Sequence, residues 1–213
     1  MNNDNFEYIL YLKDCKSIAK PIYVDFTEYN KNSNELIKAC GINNKNKINI
    51  LDCTAGLARD SFIMANNNCN VISIEKNKII FALLKDGFER GEKNINISKI
   101  LNKITLLNCD SIDFLTNTKQ LFDCIYLDPM FEDIKKSRLV KKEMQLFHNL
   151  LNNEKCDNCT LFNLAIKNAI NRVVVKRYIH GDFIVNNIKP SFQIKGKTIR
   201  YDVYLKDNIK YII

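Results

Sequence analysis

The chain has 213 residues, 46% of them hydrophobic, which suffices for one sizeable α/β domain with a small attachment. Its 32 Lys and Arg against 24 Asp and Glu give a net charge of +8, which suits a polyanionic partner, although the Lys-rich composition accounts for part of it. No apolar run reaches membrane-spanning length, and Met1 to Asn5 lacks the basic and apolar regions of an export signal, so a cytoplasmic protein with reduced thiols and no membrane partner is expected.

In chain order, residues 6–12 and 22–26 read as strands, 30–34 as a polar loop, and 35–40 as a short helix closed by Gly41. These residues form an N-terminal attachment over 1–41, too short for a core of its own. The main unit, 42–213, opens with an apolar strand over 47–51 ending in Asp52. A helix follows over 59–65, a strand over 70–74, a helix over 77–90 and a short helix over 95–101. Then come a strand over 104–107, a helix from Asp110 to Leu115, and a strand over 123–127. Helices over 137–151 and 161–169 precede a β-branched strand over 172–175. A hairpin around Gly196 joins 192–195 to 198–205. Alternating strands and helices imply a mostly parallel, Rossmann-like sheet of seven strands with helices on both faces, the terminal hairpin adding antiparallel edge strands.

Ligands of such sheets bind beyond the carboxyl ends of the strands. Four successive strands here end in polar residues: Asp52 with Thr54-Ala55-Gly56, Glu75-Lys76, Asp110-Ser111, and Asp128-Pro129. Any one of these could be a helix cap; the set is hard to obtain from packing alone. Gly56 lets backbone approach a cofactor closely, Glu75 lies where an acid bonds ribose hydroxyls, and Asp110 is placed to accept from an adenine amino group. The loop lacks both a dinucleotide fingerprint and a triphosphate-binding Lys-Ser/Thr, which points to a cofactor without a diphosphate, such as S-adenosylmethionine. The eight cysteines are irregularly spaced, and the single C-x-x-C pair, Cys156 and Cys159, has no second pair, so no metal site is expected.

The segment Leu127-Asp128-Pro129-Met130-Phe131 bears on the acceptor. An exocyclic amine conjugated to its ring is a poor nucleophile. The Asp128 carboxylate and the Pro129 carbonyl can accept its two N–H bonds and turn the lone pair, while Phe131 stacks on the base. Basic residues follow at Lys135, Lys136, Arg138, Lys141 and Lys142, and Lys176 and Arg177 close a later strand. They read as a phosphate-contacting rim, against the plainer reading of a solvated helix face. Adenine in DNA, a protein side chain, or RNA bound without catalysis remain alternative readings.

The motifs DCTAGLARD, VISIEKN, LDPMF, SRLVKKEMQLF and RVVVKR, in this order, resemble the bacterial small-subunit ribosomal RNA guanine-N2 methyltransferases of the J type. The resemblance implies a class I S-adenosylmethionine-dependent methyltransferase fold and one methyl transfer to N2 of a guanine near the 3′ end of 16S rRNA, naked or in the small subunit. It places cofactor contacts at Arg59 and Asp60, Glu75 and Lys76, Asp110 and Ser111, and Asp128. The chain departs from the family at Ala58, where Gly is more usual, at Asp110 in place of Ser, and in a shortened stretch over 27–34.

Overall fold

The computed structural model describes residues 22–43, 46–129 and 157–209, together with the backbone of 13–14 and 17–18. The strand expected over 6–12, the helix over 137–151, and Met130, Phe131, Lys135, Lys136, Arg138, Lys141, Lys142 and Cys156 lie outside the described residues.

A two-stranded pair, β1 (Lys13–Asp14) and β2 (Ser17–Ile18), precedes α1 (Asn34–Cys40). The main unit then runs β3 (Asn49–Asp52), α2 (Arg59–Asn66), β4 (Asn70–Ile74), α3 (Lys78–Glu92), α4 (Ile95–Leu101) and β5 (Ile104–Leu107). It continues with α5 (Ser111–Asn117), β6 (Phe122–Leu127), α6 (Asn158–Asn168), β7 (Ala169–Tyr178), β8 (Phe192–Lys195), β9 (Ile199–Leu205) and α7 (Lys206–Ile209).

The seven-stranded sheet has the order β5-β4-β3-β6-β7-β9-β8. Strands β3 to β7 pair in parallel, and the hairpin adds β9 and β8 antiparallel. The parallel strands are apolar runs because helices cover both faces. On one face Ile50, Cys124, Tyr126 and Val174 meet Leu36, Phe62, Met64, Ile80 and Leu84. On the other, Leu51, Ile125, Leu127, Val173 and Val175 meet Leu115, Leu161, Phe162 and Ile166. Chain order reverses at β3, with β4 on one side and β6 on the other, so the crevice of an open α/β sheet falls beyond the ends of β3, β4 and β6.

The segment 22–26 differs from the expected strand. Ile22, Val24 and Phe26 are alternately buried, as a strand would have them, but only Ile22 forms a bridge. Among the described residues, helix α3 packs where a partner strand would lie. Arg90, paired with Asp86 at 2.7 Å, donates to the Val24 carbonyl. Gly87 lets the helix come so close that a Cβ there would lie 2.4 Å from Val24 Cγ1. Phe26 then stacks on Phe62 and meets Tyr29 and Phe88 edge-on, so this segment shares the core of the main unit.

Strand β7 is longer than expected because β9 pairs with it from Arg172 to Tyr178. Helix α7 went unrecognised because its single turn is too short to show a period.

Candidate functional site

Strand β3 ends in Asp52, whose side chain is 1% exposed. Its Oδ1 accepts from the Thr54 N–H at 3.0 Å, and its Oδ2 accepts from the Ser61 hydroxyl, which accepts in turn from Ser73 at 2.8 Å. This carboxyl shapes the loop from beneath. Burial raises it to about 7, with Asp60 and Asp128 adding to the rise and the Ser61 and Thr54 bonds opposing it. When folded, Asp52 keeps its proton up to about pH 7; when unfolded, only up to about 4. The native state therefore holds the extra proton between these values, and Asp52's contribution to stability falls as pH rises through that window. Asp52→Asn should flatten the fall in thermal stability between about pH 4 and 7, by on the order of a few kcal/mol. Parallel melting-versus-pH curves for wild type and variant would contradict this.

The loop itself turns through two left-handed residues, Gly56 at φ 53° and Ala58 at φ 55°. Ala58 is buried and caps α2 without a side-chain bond. An L-residue is strained here, where a glycine would not be. Among the described residues a Cβ on Gly56 would meet nothing nearer than the Thr54 carbonyl at 4.0 Å, so they leave the loop open on that side.

Glu75, 7% exposed at the end of β4, closes the loop. Its Oε2 accepts from the Gly56 N–H at 2.9 Å and its Oε1 from the Asn77 N–H at 2.7 Å. Asn108, after β5, donates to the Glu75 carbonyl at 2.8 Å. Next to it, Lys76 pairs with Asp110 at 3.1 Å. Burial opposes the Asp110 charge, but Lys76 and the Ile112 and Asp113 N–H groups outweigh it and hold the carboxyl below its usual range. Asp110 also caps α5, and the Ser111 hydroxyl donates to the Cys53 carbonyl at 2.6 Å. Arg59 lies over the Tyr29 ring at 5.6 Å, and the Tyr29 hydroxyl donates to the Leu57 carbonyl.

Beyond β6, the Asp128 N–H donates to Thr54 Oγ1 at 2.6 Å. The motif and the loop are thus tied directly, although 74 residues separate them. Burial raises the Asp128 carboxyl, Lys176 opposes the rise, and Asp60 adds to it. Asp60 Oδ2 accepts from the Tyr126 hydroxyl at 2.6 Å and from Lys176 Nζ at 2.7 Å.

The crevice gathers Asp52, Gly56, Asp60, Glu75, Lys76, Asp110, Ser111, Asp128 and Pro129 at one sheet edge, as expected. Two rim residues are corrected. Lys176 is turned between Asp60 and Asp128, 3.0 Å from the latter, so its charge is spent inside the crevice. Arg177 points to the opposite face and is 5% exposed, beside the buried Arg200–Asp202 pair; burial and Arg200 lower it to about 10. Neither presents a phosphate-binding surface. Thr54 was named at its strand end without a role, and Asn108 and Tyr126 were missed. Thr54 and Asn108 lay in the sequence as polar residues just past strand ends, while Tyr126 was hidden inside an apolar run.

This donor set fits a cationic adenosine cofactor. Among the described residues the loop is open beside Gly56, four carboxylates (Asp60, Glu75, Asp110 and Asp128) stand against three cations (Arg59, Lys76 and Lys176), and two of those cations are already paired to carboxylates.

A family model described as a putative SAM-dependent methyltransferase matches residues 7–206. Ribosomal RNA small subunit methyltransferase J of Francisella tularensis subsp. novicida is 39% identical over 194 residues, 87% of this chain and 80% of that protein. The protein of the same name from Francisella philomiragia is 38% identical over 220 residues, 93% and 91% of the two chains. Among solved structures, a SAM-dependent methyltransferase from Neisseria gonorrhoeae matches with a TM-score of 0.67 at 31% identity, covering 88% of this chain and 74% of that one. The chain therefore belongs to the SAM-dependent methyltransferases and, among them, to the family of ribosomal RNA small subunit methyltransferase J.

Proposed function

We propose that this protein methylates the exocyclic N2 of a guanine in 16S rRNA, in the cytoplasm, using S-adenosylmethionine. The observation that carries the reading is the 2.6 Å bond from the Asp128 N–H to Thr54 Oγ1, which fixes the amine-orienting loop against the cofactor loop. The names of the similar Francisella proteins support the choice of RNA.

Gly56, Arg59, Asp60, Glu75, Lys76 and Asp110 would hold the cofactor, with Asp52 and Ser111 shaping the loop they hang from. When bound, S-adenosylmethionine supplies an electrophilic methyl group. The Asp128 carboxylate and the Pro129 carbonyl accept the two N–H bonds of the guanine amine and turn its lone pair towards the crevice, with Phe131 assigned to the face of the base. A strong base is not needed, because a methylated aryl amine loses its proton readily, and the Asp128 carboxylate that holds the amine can take it. Phosphate contacts fall to Lys136, Arg138, Lys141 and Lys142, which follow the motif in sequence.

Mass-spectrometric mapping of rRNA nucleosides tests the reading. Deleting the gene should remove one N2-methylguanosine from 16S rRNA, and the wild-type gene should restore it. An unchanged nucleoside map would overturn the proposal.

A further inference from the structure

We propose that Lys176 is a positioning residue for this reaction: its ammonium, seated between Asp60 and Asp128, holds the motif carboxylate in place and in its charged form. The inference rests on the reading of Asp128 as acceptor of the amine's N–H bonds.

The sheet register creates the arrangement. Tyr126 pairs with Val174 and Leu127 with Val175, so the next step brings Asp128 opposite Lys176. Lys176 shares its face of the sheet with Tyr126 and with Tyr201, its partner on β9. From there Nζ lies 2.7 Å from Asp60 Oδ2 and 3.0 Å from Asp128 Oδ2. The Lys176 side chain is only 23% exposed, so water screens these pairs weakly.

The charges facing this niche come from every element around it. Helix α2 contributes Asp60, β6 contributes Tyr126 and Asp128, β9 contributes Tyr201, and β3 contributes Asp52 from below. Arg177, on the other face of β7, also favours the Asp128 anion. Burial holds the Tyr126 and Tyr201 phenols above their ordinary range, so both are neutral at working pH. Asp52 beneath keeps its proton up to about pH 7, so among the described residues two carboxylates and one ammonium remain in the niche itself. Burial tends to lower Lys176, but Asp128 and Asp60 outweigh it and push the ammonium well above its ordinary range, so it stays charged.

This pairing has a chemical consequence. A carboxylate can accept both N–H bonds of an amine, whereas a protonated carboxyl presents an O–H to the same group. Two carboxylates in a partly buried niche with no cation between them cannot both remain ionised, and one takes up a proton. Without Lys176, the fraction of enzyme with ionised Asp128 at neutral pH falls.

Lys176→Met, Lys176→Arg and the double variant Asp60→Asn/Lys176→Met decide the matter. The double variant removes one carboxylate along with the cation, so it keeps the test open if Lys176→Met folds poorly. The first measurement is a carbon-13 NMR titration of the side-chain carboxyls of the whole protein, with Asp128 assigned by its loss in Asp128→Asn. In Lys176→Met the Asp128 midpoint should rise by about one pH unit or more, and Lys176→Arg should restore it. The second is the pH profile of single-turnover methyl transfer. Lys176→Met should lose roughly tenfold at pH 7, recover as pH rises, and show its acid limb displaced to higher pH, with Lys176→Arg near wild type.

An Asp128 midpoint unmoved in Lys176→Met, or no higher in Asp60→Asn/Lys176→Met than in Asp60→Asn alone, would overturn the inference. So would a loss of rate that is uniform across pH and equally severe in Lys176→Arg. If the wild-type protein transferred no methyl group to rRNA, the functional reading would fail, while the titration would still decide whether Lys176 holds Asp128 ionised.

Discussion

Asp128→Ala should lower methyl transfer by at least about 100-fold, because the acceptor amine then meets the crevice without its principal orienting group. The structure isolates this effect from others. The bond that ties residue 128 to the loop comes from its backbone N–H to Thr54 Oγ1, so the substitution leaves it in place. Lys176 loses one partner but keeps Asp60 at 2.7 Å, so no buried cation is stranded. The Asp128 side chain is 37% exposed, so losing its pair with Lys176 lowers stability less than losing a fully buried pair would. The expected result is a folded protein that binds S-adenosylhomocysteine in calorimetry but transfers methyl groups slowly in single turnover. A wild-type rate would refute the role assigned to Asp128.

Much of this site was legible because strand ends in a parallel sheet are written locally. An apolar run followed by Asp, Glu or Asn marks the edge where ligands gather, and Asp52, Glu75, Asp110 and Asp128 all carried that mark. Side-chain direction was harder to read. Lys176 and Arg177 are adjacent cations in sequence, yet successive residues of a strand face opposite sides. Which one enters the crevice depends on the register of β6 with β7, and the 44 residues between the expected strands at 127 and 172 hide that register. The residues of 22–26 likewise read as a strand, and Ile22, Val24 and Phe26 are buried in alternation as a strand's would be. A strand and an extended segment clasped by a helix bury the same positions, and only Gly87 and Arg90, far along the chain, distinguish them. The left-handed turn at Ala58 was invisible to propensity, since alanine ordinarily signals helix interior rather than positive φ.

Glu75→Ala should weaken cofactor binding by about 10- to 100-fold, the range expected when a charge-assisted hydrogen bond is lost from a largely enclosed site. Two contributions are involved. The direct one is the carboxylate assigned to the ribose hydroxyls. The indirect one is the loop: Glu75 accepts from the Gly56 and Asn77 N–H groups, and its removal leaves both donors to find water. Each such donor costs about 1–3 kcal/mol where water cannot reach it, so the variant should also melt at a lower temperature. The strand beneath stays anchored, because the Glu75 N–H still bonds the Leu107 carbonyl, the Asn108 amide still holds the Glu75 carbonyl, and the Ala55 N–H still bonds Ile74. Loss of the carboxylate therefore loosens the Gly56 turn without unpairing β3, β4 and β5. Calorimetry with S-adenosylhomocysteine, alongside thermal melts, separates the contributions. A lowered melting temperature with unchanged affinity would reduce Glu75 to a loop tie and leave the ribose without its acid. Loss of affinity with a near wild-type melt would instead assign the binding energy to the carboxylate itself.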